Sequence, residues 1–193
     1  GIHSSADALM NMLSNILEYS KLEAGHAELF LKPVNIRTLI NEVHGLLVPV
    51  ALQKKLKFET FFSTQLTEKV KTDPVRLRQI LLNLTTNALK FTQEGQVQIN
   101  VSTVPRSNTQ QEVIFQVSDT GVGIPEGNQA ALFEEFFQGD GSVIAKADGA
   151  GLGLSLVRNL VSLMGGKLGV KSEVGRGSTF WFSIPVEICD QAL

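Results

Sequence analysis

The chain is 193 residues long, 43% of them hydrophobic, with 17 basic and 19 acidic side chains and a formal net charge of −2. That length suits one domain with a short appendage, and the balanced charge gives no indication of nucleic-acid or anionic-membrane binding. No apolar run reaches the ~18 residues of a membrane span, and the single cysteine, Cys189, excludes an internal disulfide and fits a reducing compartment.

Two helices are predicted in the first fifty residues. The first spans 4–24 and ends at Gly25. Its apolar face consists of Leu9, Leu13, Ile16 and Leu17. The second begins after Asn35, behind a short strand predicted at Glu28–Leu31. Its apolar face consists of Ile36, Leu39, Ile40, Val43, Leu46, Leu47 and Val50.

A strand and a third helix follow. Alternating Leu56, Phe58, Thr60 and Phe62 predict the strand. The pair Asp73-Pro74 predicts a helix start, with Asp as the N-cap and Pro at the first helical position, and the helix runs to about Thr92.

The third helix carries a polar edge beside its apolar face. Asn83, Asn87 and Lys90 are spaced four and then three apart, which places them on one stripe. The apolar stripe, roughly 110° away, consists of Leu77, Ile80, Leu81, Leu84, Ala88 and Phe91. Two carboxamides and an ammonium could hold a hydrated metal ion and phosphate oxygens. A solvated polar face is the alternative.

Two alternating segments then predict a hairpin, joined by a connection at 105–111. Its inward residues are Val97, Ile99 and Val101 on one strand and Val113, Phe115 and Val117 on the other. The alternation continues to Asp119, which should face the apolar side and require a hydrogen-bond donor. Such an Asp could accept a hydrogen bond from an exocyclic amine of adenine, or it could cap a tight turn.

The remaining third contains a long Gly-rich loop, a helix and two strands. The loop spans 120–150 and includes an apolar island, Leu132–Phe137, and one short helix. The helix runs from about Leu152 to Met164 and ends at Gly165-Gly166, and the strands are Lys167–Ser172 and Ser178–Val186. The glycine run 149–153 fits neither the dinucleotide fingerprint nor a Walker A loop, although glycines before a helix could approach an anion.

The order of these motifs closely resembles the ATP-binding domain of sensor histidine kinases, in the GHKL ATPase superfamily. NLTTNALKFT resembles the N box, DTGVGIP the G1 box, LFEEFF the F box, GAGLGL the G2 box and GRGSTFWF the G3 element. The run LSNILEYSKLEAG resembles the second helix of the dimerisation and phosphotransfer hairpin, particularly of hybrid kinases.

The resemblance implies a nucleotide site and a role for several residues in it. Asn83 and Asn87 would bind Mg²⁺, Lys90 would contact phosphate, and Asn83 and Lys90 would serve catalysis. Asp119 would read the adenine amine, with Thr179 beside it. The complete implied site is Asn83, Asn87, Lys90, Phe91, Asp119, Gly121, Gly123, Ile124, Lys146, Gly149, Gly151, Leu152, Gly153, Leu154 and Thr179.

The implied fold is α+β, a two-layer sandwich of the Bergerat type with a mixed sheet and helices on one face, plus an N-terminal helix. Residues 1–25 would belong to the hairpin and 26–193 to the ATP-binding domain, with a lid at about 124–150. The partners would be a phosphoacceptor helix, a second kinase protomer and a receiver domain of a response regulator, with no nucleic acid. The domain would be cytoplasmic, in a membrane-anchored sensor.

Some features depart from the family pattern. None of His3, His26 and His44 lies in the acceptor motif, so the acceptor histidine is expected outside this chain. Ala150 stands where threonine or glycine is common, and Lys146 where arginine is common. A catalytically weak module that regulates a partner kinase through helix pairing is the alternative function. ATPases with a glutamate base are disfavoured, because Asn83 would occupy the position of the base and an amide cannot accept a proton.

Overall fold

The computed structural model describes residues 27–67, 69–134 and 153–189. Seven strands form one sheet in these ranges, and they are β1 (Lys32–Asn35), β2 (Lys57–Phe62), β3 (Lys69–Thr72), β4 (Gln96–Pro105), β5 (Gln110–Asp119), β6 (Lys167–Glu173) and β7 (Gly177–Ile188). The helices are α1 (Ile36–Gln53), α2 (Pro74–Phe91), the single turn α3 (Glu126–Gln129) and α4 (Gly153–Leu163), and a 3-10 turn spans Ala131–Phe133. The helix predicted over 4–24 lies outside the described residues.

The sheet is mixed, as predicted. Its order is β1-β3-β7-β5-β4-β2, and β6 also pairs with β7. Only the β2–β4 pair is parallel among the described strands. The long strand β7 therefore has β5 along one side and both β3 and β6 along the other.

Helices α1, α2 and α4 pack against one face of this sheet, which confirms the predicted two-layer arrangement. The core between the layers includes Val97, Ile99, Phe115, Val117 and Phe182 from the sheet and Leu39, Ile40, Leu81, Leu84, Leu156 and Leu160 from the helices. The rings of Phe115 and Phe182 stack at the centre, with centroids 4.7 Å apart. Burial of these apolar side chains is the main favourable contribution to folding.

Both long N-terminal helices begin at side-chain caps. The Asn35 side chain accepts a hydrogen bond from Thr38 N at 2.9 Å, and the Asp73 side chain accepts from Val75 N and Arg76 N. Pro74 occupies the start of α2, as the sequence predicts. At the other end of α2, Lys54 Nζ donates to the carbonyl oxygens of Leu89 and Lys90, which fixes that end against the end of α1.

Some sequence expectations about these elements are wrong. The first strand is Lys32–Asn35 rather than Glu28–Leu31, and strand β3 was not predicted. The edge strand β1 pairs with β3 in a register that includes Lys32↔Thr72, and β3 pairs with β7 on its other side, which no local pattern reveals. The hairpin connection is shorter than 105–111, because the β4–β5 ladder continues to the pair Pro105↔Gln111.

The predicted apolar face of α1 is buried only in its first half. Ile36, Leu39, Ile40 and Val43 are buried, whereas Leu46 and Val50 are 60% and 42% exposed. Beyond Val43 only Ala51 of this helix is buried, so its last two turns have little of the core to cover them. The apolar spacing alone could not show where the core ends.

Candidate functional site

The predicted polar edge of α2 lies at the start of α4. Asn83 Nδ2 donates to the carbonyl of Gln79 at 3.1 Å, so the amide oxygen Oδ1 points away from its own helix. A Cβ on Gly153, the first residue of α4, would lie 3.1 Å from that Oδ1. The amide oxygen of Asn83 and the start of α4 therefore lie side by side, and an amide oxygen beside the positive end of a helix could contact one ligand that carries anionic groups.

Asn87 and Lys90 continue this edge toward the end of α2. Asn87 is half-buried and Lys90 is exposed. The Lys90 Nζ lies 5.6 Å from the centroid of the Phe91 ring. Phe91 is half-buried rather than part of the core, so its ring lies at the border between the apolar and polar faces of the helix.

Asp119 ends strand β5 on the helix-facing side of the sheet, as the alternation predicts. Its register partners are Val97 on β4 and Ser178 on β7. Oδ1 accepts hydrogen bonds from Gly121 N at 2.8 Å and Ser178 N at 3.3 Å. Burial raises the pKa of the Asp119 carboxyl, and these two backbone hydrogen bonds oppose that rise.

Both backbone donors bind the same oxygen of Asp119. Among the described residues, no group donates a hydrogen bond to Oδ2, so this oxygen is available to a ligand. An ionised carboxylate accepts hydrogen bonds and cannot donate them. The Asp119 end of the site therefore favours a ligand group with N–H donors.

The loop after Asp119 joins this acceptor to the end of α2. A Cβ on Gly121 would lie 2.6 Å from the carbonyl oxygen of Phe91 and 2.9 Å from Asp119 Oδ1, so no larger residue fits there. Ile124 is buried, and its N–H donates to Ser172 Oγ at 2.8 Å. Gly177 has φ +99, and a Cβ there would overlap the carbonyl oxygen of Asp119.

The Asp119 acceptor and the Asn83 amide lie toward opposite ends of one stretch of α2. The loop from Asp119 contacts Phe91, the last residue of the helix, and α4 begins beside Asn83. Asn83 and Phe91 are eight residue steps apart along the helix, which corresponds to about 12 Å along its axis. The arrangement suits an elongated ligand with an amine-bearing ring at one end and an anionic group at the other.

Residues 72–188 match the family described as histidine kinase-, DNA gyrase B-, and HSP90-like ATPase. The chain belongs to this family. The predicted membership is therefore confirmed, and the match begins at the strand that leads into α2 and ends with β7.

Several histidine kinases are similar to nearly the whole chain. The signal transduction histidine-protein kinase BarA of Escherichia coli K12 is 40% identical over 187 residues, which cover 97% of this chain and 20% of BarA. Full-length ShkA, solved in complex with AMPPNP, is 37% identical with a TM-score of 0.85, over 98% of this chain and 38% of ShkA. Histidine kinase ThkA, solved in complex with the response regulator protein TrrA, is 27% identical with a TM-score of 0.68, over 95% of this chain and 49% of that one. The chain spans about a fifth of the length of the first curated relatives.

The expected position of Thr179 beside Asp119 is wrong. Thr179 pairs with Ser118, and their hydroxyl oxygens lie 3.0 Å apart on the opposite face of the sheet from Asp119. Ser178 occupies the expected place, directly across from Asp119. Side chains two residues apart in a strand face the same side of the sheet, so the inward-facing Phe180 indicates that Ser178 also faces inward. The sequence therefore did contain the signal for Ser178.

Sequence reasoning also missed Ser172 and Gln129. Gln129 Nε2 donates to the carbonyl oxygens of Ile124 at 3.0 Å and Ser172 at 2.9 Å, which ties the loop after Asp119 to strand β6. No local motif signals the contact between Gln129 and Ser172, because these residues lie 43 positions apart in the chain. Lys146, Gly149, Gly151 and Leu152, and most of the lid predicted at 124–150, lie outside the described residues. Its described beginning has two short turns rather than one helix.

The described ranges lack two further features. They contain no helix long and apolar enough to cross a membrane. They also contain no cluster of three or more His, Cys, Asp or Glu side chains suited to a metal ion.

Proposed function

We propose that this chain is the catalytic domain of a sensor histidine kinase, which binds Mg-ATP and donates the γ-phosphoryl group to a histidine outside the chain. The observation that carries this proposal is the position of the free Asp119 oxygen and the Asn83 amide toward opposite ends of the same segment of α2. Adenine would lie at the Asp119 end, where Oδ2 accepts from its exocyclic amine. The triphosphate would extend along the polar edge toward the start of α4.

The donor set at the phosphate end fits Mg²⁺. This ion prefers oxygen ligands, keeps several waters and commonly takes few ligands from the protein. Asn87 would supply an amide oxygen, and Asn83 would supply a second one directly or through water. When bound, the ion offsets the negative charge of the phosphates.

The remaining polar groups would orient the phosphates. Lys90 is exposed beside Asn87 and presents a mobile positive charge. The start of α4 favours an anion through its backbone N–H groups and the helix dipole. Positioning of this kind is the main contribution that a protein makes to phosphoryl transfer.

The relatives support transfer to a histidine rather than hydrolysis. BarA and ThkA are named histidine kinases, and the ThkA complex contains a response regulator. We therefore assign a phosphoacceptor helix and a receiver domain as the partners of this chain, together with a second protomer. Asn83 stands where a hydrolysing relative would carry a glutamate base, and its amide cannot take a proton from water.

Titration with Mg-ATP and with a non-hydrolysable ATP analogue tests this function. We expect saturable binding in the micromolar to millimolar range and weaker binding of Mg-GTP, because guanine presents a carbonyl oxygen where adenine presents an amine. Absence of binding would refute the kinase function, and equal affinities for ATP and GTP would refute the role of Asp119.

A further inference from the structure

A row of three polar side chains crosses the sheet at the Asp119 end of the site, where the purine base would bind. This region is called the base end below. Asp119 on β5 lies opposite Ser178 on β7, and Ser178 lies opposite Ser172 on β6. Directly paired residues point to the same face of a sheet, so all three side chains face the helix side. Ser178 occupies the middle position and is buried.

The hydroxyl of Ser172 makes three contacts. It accepts from Ile124 N at 2.8 Å, donates to the carbonyl of Gly177 at 2.9 Å, and lies 2.9 Å from Ser178 Oγ. A hydroxyl has one hydrogen to donate and two lone pairs to accept with. Because the hydrogen of Ser172 goes to Gly177, the contact with Ser178 is satisfied only if Ser178 is the donor.

This assignment determines what Ser178 can offer on its Asp119 side. Its hydrogen points to Ser172, away from Asp119, and its lone pairs remain. If that hydrogen were released, the hydroxyl could donate to Asp119 Oδ2 and occupy the oxygen that a ligand needs. It could also donate to a carbonyl group on the ligand.

The position of Ser172 is itself fixed from the side of the lid. Gln129 holds the backbone carbonyl of Ser172 and also that of Ile124, whose N–H binds the Ser172 hydroxyl. Ser172 is therefore held by contacts to its side chain and to its backbone, which keeps its hydrogen-bond geometry constant when a ligand binds.

We propose that Ser172 is a positioning residue that determines base specificity. By accepting the hydroxyl hydrogen of Ser178, it leaves only hydrogen-bond acceptors facing the ligand at the base end of the site. Such a surface favours the 6-amino group of adenine and disfavours the 6-carbonyl group of hypoxanthine or guanine. This inference rests on the proposed function, because it requires a purine base beside Asp119.

Ser172→Ala tests the inference, with Mg-ATP and Mg-ITP as the probes and the 193-residue chain as the protein. The unchanged chain should prefer ATP. In the variant, Ser178 is free to donate to Asp119 or to the ligand, so ATP should bind about 3- to 10-fold more weakly, the effect of one hydrogen bond. ITP should bind as tightly as before or more tightly, so the preference for ATP over ITP should become smaller.

Ser118→Ala is the matched control. It removes a hydroxyl from the same region of the sheet and breaks the contact with Thr179, but on the opposite face. It should leave the ATP to ITP preference unchanged. If the ATP to ITP preference of this control decreases by the same factor, the effect comes from a general loosening of the sheet. That result would overturn the role of Ser172.

The carboxyl of Asp119 supplies a second readout that needs no ligand. In Ser172→Ala the released hydroxyl of Ser178 can donate to Asp119, so the pKa of Asp119, followed by NMR, should fall. It should not change in Ser118→Ala. An unchanged pKa together with an unchanged ATP to ITP preference in Ser172→Ala would overturn the inference.

If Ser172→Ala does not fold, Ser178→Ala decides the question. If Ser178 only accepts, its loss should weaken ATP binding and leave the affinity for ITP unchanged or raise it. An equal or larger loss of affinity for ITP would show that Ser178 donates and would overturn the inference. Failure of the unchanged chain to bind ATP would overturn the proposed function and this inference together. An unchanged preference in the variants, with normal binding by the parent, would overturn only the inference.

Discussion

The carboxylate of Asp73 accepts a hydrogen bond from the backbone N–H of Phe30 at 2.9 Å. Its other oxygen caps α2 by accepting from Val75 N and Arg76 N. One buried side chain thus joins the segment before β1 to the helix that carries Asn83 and Asn87. The position of α2 therefore depends on the segment at residues 27–31 as well as on the core.

Substitution of Asp73 should separate these two contacts. Asp73→Ala removes both, and we expect the free energy of unfolding to fall by about 2–4 kcal/mol, from the lost cap and the unpaired Phe30 N–H. Asp73→Asn keeps an oxygen for the cap but presents a donor to Phe30, so it should lose about half as much. Urea unfolding of both variants measures this, and equal losses would contradict the separate role of the Phe30 contact.

The raised pKa of Asp119 predicts a pH-dependent effect on stability. The folded protein holds this proton more tightly than the unfolded chain, so the ionised form lowers stability at neutral pH and the cost disappears as the pH falls below the unfolded pKa. Asp119→Asn should therefore unfold at higher urea than the parent near pH 7, with the gain vanishing below about pH 3. A gain that persists at low pH would show that the ionisation of Asp119 is not its cause.

The same variant should lose base discrimination. The side-chain amide of Asp119→Asn keeps one oxygen acceptor but presents N–H donors as well, at a cost of about 1–3 kcal/mol for a mispaired buried group. We expect its affinities for Mg-ATP and Mg-ITP to converge in a binding titration. A parent-like preference for ATP in this variant would remove Asp119 from the base site.

Asn87→Ala should abolish the contribution of Mg²⁺ to nucleotide binding and leave the fold intact. In the proposed site the half-buried amide would supply one of few protein oxygens to the ion, and we expect about a 10-fold loss of affinity, or about 1.4 kcal/mol, with Mg²⁺ present. In EDTA the parent and the variant should bind ATP equally. Thr86→Ala, an exposed neighbour on another face of α2, is the control and should retain the response to Mg²⁺.

Alanine substitutions at Gly175 and Gly177 test whether the close approach of β7 to Asp119 matters for stability and binding. Both have positive φ values, +99 and +80, but a Cβ at Gly175 meets nothing within 4 Å, whereas one at Gly177 would overlap the carbonyl oxygen of Asp119. Gly175→Ala should cost about 1–2 kcal/mol of stability from the backbone conformation alone. Gly177→Ala should cost clearly more and should also weaken ATP binding, and equal costs would show that the overlap is relieved without displacing Asp119.

The 193-residue chain should bind ATP without phosphorylating itself. His44 Nε2 lies 3.1 Å from the carbonyl oxygen of Phe58, and its ring centroid lies 4.4 Å from that of the Phe58 ring, so it is held in the fold. The contexts of His3 and His26 do not resemble the acceptor motif. Incubation with γ-labelled ATP, under conditions that preserve acid-labile phosphate, should label an added acceptor domain and not this chain. Stoichiometric label on the chain alone would contradict its assignment as a donor domain.

The sequence by itself determined those parts of the protein that depend on neighbours along the chain. Helical spacing predicted the polar edge of α2, the Asp73-Pro74 pair predicted where this helix begins, and alternation along β5 predicted that Asp119 faces the core side. Each of these depends on the 3.6-residue period of a helix, the two-residue period of a strand or a local cap. The order of the glycine motifs then indicated the family.

Tertiary structure alone decided which distant segments meet. The pairing of β1 with β3, the contact between Phe30 and Asp73, and the pairing of Asp119 with Ser178 all join residues far apart in sequence. These contacts follow from the register of the sheet, in which a shift of one residue reverses the face of every side chain. The family resemblance implied Thr179 beside Asp119, whereas the register of β7 with β5 places Ser178 there.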